Sequence, residues 1–117
     1  MRVDIRWKGL PKSSFLSEHV QKRAHAGLQR FQGKVHTVTV RFEDTNGPRG
    51  GVDKRCSVEL TGAFGILVAE AQGSDYYAVA DLALARGERA VARSLQRDHR
   101  SRDRLAEHVP TLPDSAS

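Results

Sequence analysis

The sequence predicts a two-layer α+β domain with the element order β-α-β-β-β-α. Four segments alternate apolar and polar residues with the period of two that is typical of a strand with one buried face. Two longer segments carry apolar residues at spacings of three and four, as in helices with one apolar stripe. Because each helix has a single stripe, we expect both helices to cover one face of a four-stranded mixed sheet.

The first strand and the first helix have clear ends. The segment RVDIRWK alternates in polarity, and Gly9 and Pro11 close it. Ser13 is suited to cap the following helix, and Gly33 is suited to end it. The apolar stripe of this helix consists of Leu16, Val20, Ala24, Gly27, Leu28 and Phe31.

Three strand patterns and a long helix follow. The strands are expected to point these residues to one side: Val38, Val40, Phe42, Cys56, Val58, Leu60, Leu67, Ala69 and Ala71. Ser74 or Asp75 caps the second helix, which meets no proline until Pro110. The strand-helix-strand succession favours a parallel, right-handed crossover, and the short turns favour an antiparallel meander afterwards. We expect residues 1–100 to form the domain and residues 101–117 to form a polar, flexible tail.

The composition favours an acidic partner. Nineteen Lys and Arg against 14 Asp and Glu give a net charge of +5. Nucleic acid is favoured over a membrane surface, because no strongly apolar amphipathic segment accompanies the charge. The single cysteine excludes an intramolecular disulfide, and no apolar run approaches the roughly 20 residues that span a bilayer. No secretory signal is visible, so we expect a cytoplasmic protein.

The charge is concentrated on one face of the second helix. At about 100° per residue, five arginines fall in a band about 80° wide. We call them the arginine ridge: Arg86, Arg89, Arg93, Arg97 and Arg100. The sheet-facing side is expected to carry Tyr77, Ala80, Leu84, Gly87, Val91 and Leu95. Since stacked like charges repel one another, recognition of phosphates is favoured over a merely solvated face.

The first helix adds cations outside its apolar stripe, namely Lys22, Arg23 and Arg30. The sequence leaves open whether they join the arginine ridge in one basic groove. We predict that these three residues and the five of the ridge bind RNA.

Catalytic and metal-binding patterns are missing from the sequence. The five histidines show no metal-ligand spacing, and Cys56 falls in the apolar register of its strand. No acid/base pair can be defended, because Asp44, Asp53 and Asp75 are explained as turn or cap residues and Asp81 lies at the margin of a helix interface. We therefore expect no enzyme, no metal and no cofactor.

The stretch DTNGPRGGVDKRC, residues 44–56, contains most of a long connection between two strands, Glu43 to Asp53. It lacks the Gly-Lys-Ser/Thr of a phosphate-binding loop and opens no helix. Arg49, Lys54 and Arg55 make it basic, whereas its glycines suit flexibility. An accessory RNA contact and a mobile tip both remain open.

Two segments resemble the ribosome hibernation-promoting factor family, which includes the ribosome-associated inhibitors. They are SEHVQKR in the first helix and AQGSDYYAVADLALARGERAVAR around the start of the second. The most specific matches are Asp75, Tyr77, Ala78 and Asp81, followed by Arg86, Arg89 and Arg93. The resemblance covers about residues 1–100 and is to the short form, without the C-terminal domain that pairs ribosomes. The long Gly-rich connection and Gly87, which lets the helix lie closer to the sheet, depart from the family pattern.

The resemblance implies a double-stranded-RNA-binding-like fold and a function. Family members occupy the channel for messenger and transfer RNA on the small ribosomal subunit, so that translation is inhibited and idle ribosomes are preserved under stress. It implies that Arg23, Arg86, Arg89 and Arg93 contact ribosomal RNA phosphates. We also expect the protein to be monomeric when free. Two alternatives stay open: a general module for structured RNA, and a protein-interaction modulator of the transcription machinery.

Overall fold

The computed structural model describes the backbone of residues 1–31, 33–45 and 54–108, and the side chains of these ranges up to residue 97. The elements in chain order are β1 (Arg2–Lys8), α1 (Ser14–Leu28), β2 (Val35–Asp44), β3 (Lys54–Gly62), β4 (Gly65–Gly73) and α2 (Tyr76–His108). A short 3-10 turn, Gln29–Phe31, follows α1. The predicted element order is confirmed.

The four strands form one sheet in the order β1-β2-β3-β4. β1 runs parallel to β2, and the other neighbours are antiparallel. The register sets Ile5 beside Val40 and Phe42 beside Cys56, so the apolar residues of neighbouring strands share a face. The predicted parallel pairing of β1 with β2 and the predicted antiparallel meander are therefore both confirmed.

Both helices cover this apolar face. α2 packs over β3 and β4, and α1 lies beside α2 and contacts β1. One core cluster joins the two layers, and its fully buried larger side chains include Val20, Leu28, Val38, Val40, Phe42, Cys56, Val58, Leu60, Leu84 and Val91. The other face of the sheet, here called the open face, is left without a covering helix among the described residues.

Side-chain caps fix the helix starts. The Ser13 hydroxyl accepts a hydrogen bond from the Leu16 backbone N–H at 3.2 Å, as predicted. At the start of α2 the carboxylate of Asp75 accepts from the Tyr77 N–H at 3.3 Å, so Asp75 is the cap of the two candidates. α2 continues to His108, into the segment 101–117 expected to form the tail. No proline interrupts the helix before residue 110, and residues 109–117 lie outside the described range.

The sheet-facing side of α2 differs from the prediction at its first turns. Tyr77 is 40% exposed, and its ring meets the edge of His19 on α1 with centroids 5.1 Å apart. Val79 and Ala83 are buried in the core instead. The prediction from helix periodicity missed this difference because α2 packs against two neighbours, the sheet and α1. Gly87 is buried as predicted, and a Cβ there would lie 3.1 Å from Leu60 Cδ1.

Candidate nucleic-acid interface

The arginine ridge is exposed along the outer side of α2. Arg86, Arg89, Arg93 and Arg97 are all exposed, whereas the buried residues of the same helix hold it against the sheet. Within the described residues, no ion pair joins Arg89, Arg93 or Arg97 to a carboxylate. Arg100 lies in α2, but its side chain is outside the described part. Among the described side chains, Arg89, Arg93 and Arg97 thus present guanidinium groups without an ion-pair partner.

Arg86 anchors the ridge to the sheet. Its Nη1 donates a hydrogen bond to the backbone carbonyl oxygen of Glu70 at 2.7 Å. Glu70 belongs to β4, which is an edge strand of the sheet. The bond satisfies a carbonyl of the edge strand and positions the guanidinium, which has further N–H donors that this bond does not use. Sequence periodicity could not reveal this contact, because it depends on how α2 crosses β4.

Acid–base pairs line the seam between the two helices. Arg23 Nη1 on α1 donates to Glu88 Oε2 on α2 at 2.7 Å. His19 Nε2 lies 2.7 Å from Asp81 Oδ1 in the same seam. Since Glu88 follows Arg86 by two residues, it lies about 200° around α2 from Arg86. The ridge therefore lies on the flank of α2 away from α1, and the seam is an ion-paired contact and not a continuous basic groove.

The other cations of α1 lie on its surface. Lys22 forms an exposed pair with Glu18 one turn earlier, with 3.0 Å between Nζ and Oε1. Arg30 is exposed in the turn after α1, and its guanidinium lies 4.6 Å from the Phe31 ring centroid. Exposed pairs of this kind are weak, so both cations can exchange their partner for a phosphate.

The base of the β2–β3 connection is partly held by the sheet. Arg55 Nη2 donates to Glu70 Oε1 at 2.6 Å, and this hydrogen bond raises the pKa of Arg55 above its usual value. Lys54 Nζ lies 5.3 Å from the centroid of the Tyr76 ring. Arg49 lies outside the described residues. An accessory role of the connection in RNA binding stays a prediction.

Metal-ligating side chains do not cluster in the described residues. No three His, Cys, Asp or Glu side chains within them are placed to share a metal ion. Cys56 is fully buried, and burial raises the pKa of its thiol to about 12, which keeps it protonated at neutral pH. The described helices include none with the length and apolarity to span a bilayer.

Arg6 and Arg41 are candidate binding residues that the sequence patterns alone do not single out. They lie side by side on neighbouring strands of the open face. The alternation of polarity within β1 and β2 indicates that both residues lie on the face opposite the core. Only the parallel register shows that they are neighbours.

Comparisons with known proteins support the fold described above. The chain matches the family described as Sigma 54 modulation protein / S30EA ribosomal protein over residues 3–99. A ribosomal subunit interface protein from Coxiella burnetii has a similar fold, with 18% identity and a TM-score of 0.68 over 80% of this chain and 96% of that one. The N-terminal domain of Thermus thermophilus Protein Y is 19% identical, with a TM-score of 0.66 over 80% and 98% of the two chains. No curated protein matches the sequence.

Proposed function

The chain belongs to the Sigma 54 modulation protein / S30EA ribosomal protein family, and from this premise we propose that it is a ribosome hibernation factor. It binds the small ribosomal subunit in the channel for messenger and transfer RNA, blocks translation by occupying that channel and preserves idle ribosomes. The action requires no chemistry on a substrate, so the protein works as a non-enzymatic, cytoplasmic translation inhibitor.

The arginine ridge is the observation that carries the proposal. Arg86, Arg89, Arg93 and Arg97 are exposed on one rigid helix, and the first is oriented by its bond to β4. Guanidinium groups match phosphate oxygens with paired hydrogen bonds, and four of them along one helix follow an RNA backbone. With Arg100, Lys22, Arg23 and Arg30, they form the proposed contact with ribosomal RNA.

Arg23 has two functions in this proposal. It pairs with Glu88, yet its side chain is 30% exposed. A guanidinium has five N–H donors, so the group can hold Glu88 and still donate to a phosphate. Arg23 thus helps to hold the two helices at a fixed angle and also contributes to the RNA contact.

Binding through contacts to the RNA phosphate backbone should make the affinity depend strongly on salt concentration. Phosphate neutralisation releases counterions, so the logarithm of the affinity should fall steeply and linearly with the logarithm of salt concentration. Recognition of the RNA base sequence contributes little to this binding. Contacts to base edges are not needed, because phosphate contacts can place a rigid helix pair against folded RNA. Specificity comes from the shape of the channel.

Binding to purified small subunits across a salt series tests the proposal. We expect association at low salt that weakens steeply as salt rises, together with inhibition of translation in a reconstituted system. Comparable affinity for a short RNA duplex would instead favour the general RNA-binding module. Absence of binding to small subunits at low salt would contradict the hibernation function.

A further inference from the structure

Two arginines occupy the middle of the open face. Arg6 on β1 and Arg41 on β2 are register partners in the parallel pair, and both are exposed. Neighbouring strands are about 4.8 Å apart, so their side chains start close together on the same face. The same row continues through Ser57 and Glu70 on β3 and β4.

Three of the carboxylates around this pair are engaged by other cations. Those contacts are Asp4 with Arg2 at 3.2 Å, Glu43 with Lys8 at 3.5 Å and Glu70 with Arg55 at 2.6 Å. Glu59 also lies on the open face, one row away. Within the described ranges, no ion pair links Arg6 or Arg41 to any of these acids. Like charges directly opposite each other destabilise a sheet, so folding alone does not explain the pair.

The surface around the pair is concave. A depression of about 660 Å³ lies over the open face, and Arg6, Arg41, Arg55, Ser57 and Val68 are among its lining residues. It combines two adjacent guanidinium groups with a hydroxyl, which is a suitable donor set for a phosphate group.

We propose that Arg6 and Arg41 form a second anion site that binds the phosphate backbone of RNA on the face opposite the helices. This inference rests on the proposed function, since it adds a contact to the same RNA-bound state. The arginine ridge and the Arg6–Arg41 pair lie on different layers of the domain. The protein therefore binds between two RNA segments, one at the arginine ridge and one at the open face. A protein with only one of these surfaces would contact a single segment.

The surrounding acidic residues limit how many phosphates this second site can bind. Glu43, Glu59 and Glu70 line the same depression and repel an extended polyanion. The pair thus accepts one or two phosphates, and a long backbone tract does not fit. An acidic peptide would meet the same repulsion without the tetrahedral, multiply charged oxygen set that two guanidinium forks can share.

The test compares the full chain carrying Arg6→Gln and Arg41→Gln with a control carrying Lys12→Gln and Lys34→Gln, which removes the same charge from exposed positions elsewhere. Affinity for small subunits is measured over a salt series. We expect the arginine variant to bind about three- to tenfold more weakly than the control, with a log–log salt slope lower by about 1 to 2. The variant Arg6→Lys with Arg41→Lys should retain the slope, and thermal unfolding should show no loss of stability in any variant.

Equal affinity and slope in the arginine variant and the control would overturn the second site, even if variants of the ridge lose binding as the proposed function requires. If the wild type itself fails to bind small subunits, the proposed function fails, and binding of a short single-stranded RNA then decides the site alone. Dependence of that binding on Arg6 and Arg41 supports the site, and independence overturns it. Tighter, Arg6- and Arg41-dependent binding of polyglutamate than of RNA of equal charge would overturn RNA as the ligand.

Discussion

Arg23 on α1 and Glu88 on α2 form a hydrogen-bonded ion pair across the helix seam, with 2.7 Å between Nη1 and Oε2. The Glu88 side chain is only 14% exposed, so the pair is shielded from water far more than an ordinary surface pair. Glu88 and the arginine ridge occupy different sides of α2, so this pair helps to hold the rotation of the helix that the buried residues of α2 set. It therefore contributes to the direction in which the ridge points.

Substitution Glu88→Gln should lower the free energy of unfolding by about 1–3 kcal/mol, because Arg23 loses a charged hydrogen-bond partner in a shielded place. Urea denaturation measures the change. The control Glu18→Gln, which breaks the exposed pair with Lys22, should change the free energy by less than about 0.5 kcal/mol. Equal effects of the two substitutions would show that the seam pair is no more than a surface contact.

Gly27 leaves the space that the seam pair occupies. A Cβ at this position would collide with the ends of the Glu88 and Arg23 side chains. Gly27→Ala should gain about 1 kcal/mol in helix propensity, and this gain should be cancelled by displacement of the pair. A double-mutant cycle between Arg23→Gln and Glu88→Gln measures the coupling, which we expect to be about 1–2 kcal/mol in the wild type and near zero in the Gly27→Ala background. An undiminished coupling would mean that the pair tolerates the methyl group.

The buried thiol of Cys56 makes stability depend on alkaline pH. Its pKa is raised from 9.0 to about 12 by burial, so above pH 9 the unfolded chain loses the proton while the folded chain keeps it. The free energy of unfolding should therefore fall between about pH 9 and pH 12, by up to about 1.4 kcal/mol per pH unit from this group. Urea denaturation at several pH values measures it, and Cys56→Ala is the control. Identical pH slopes in the two proteins would contradict a buried, protonated thiol.

Deletion of Pro48–Gly51 tests the basic connection between β2 and β3. The deletion removes one cation, Arg49, while Arg55 stays paired with Glu70. We expect the log–log salt slope for small-subunit binding to fall by no more than about 0.9, the value of one phosphate contact. Arg49→Gln in the full-length connection is the matched control. A larger loss in the deletion than in Arg49→Gln would show that the connection contributes more than its charge.

The sequence predicted the parts of the fold that local patterns determine. Strand alternation placed Val40 and Cys56 in the core, and Ser13 marked the start of α1 correctly. The exposure of Arg86, Arg89, Arg93 and Arg97 also followed from helix periodicity. Contacts between different elements could not be predicted from local patterns, because they depend on how the elements pack together. Neither the bond from Arg86 to β4 nor the Arg23–Glu88 pair can be derived from spacing along the chain, because each depends on where one element crosses another.

The most direct test of the account is sucrose-gradient co-sedimentation with small ribosomal subunits, comparing the wild type with Arg89→Glu plus Arg93→Glu. Both side chains are exposed, so the reversal should leave the unfolding free energy within about 0.5 kcal/mol of the wild type. The control Lys12→Glu plus Lys34→Glu makes the same change in net charge at exposed sites away from the ridge. We predict that the wild type and the control sediment with the subunit at low salt and that the ridge variant stays at the top of the gradient. Co-sedimentation of the ridge variant at the wild-type level would contradict the central claim that the arginine ridge binds the ribosome.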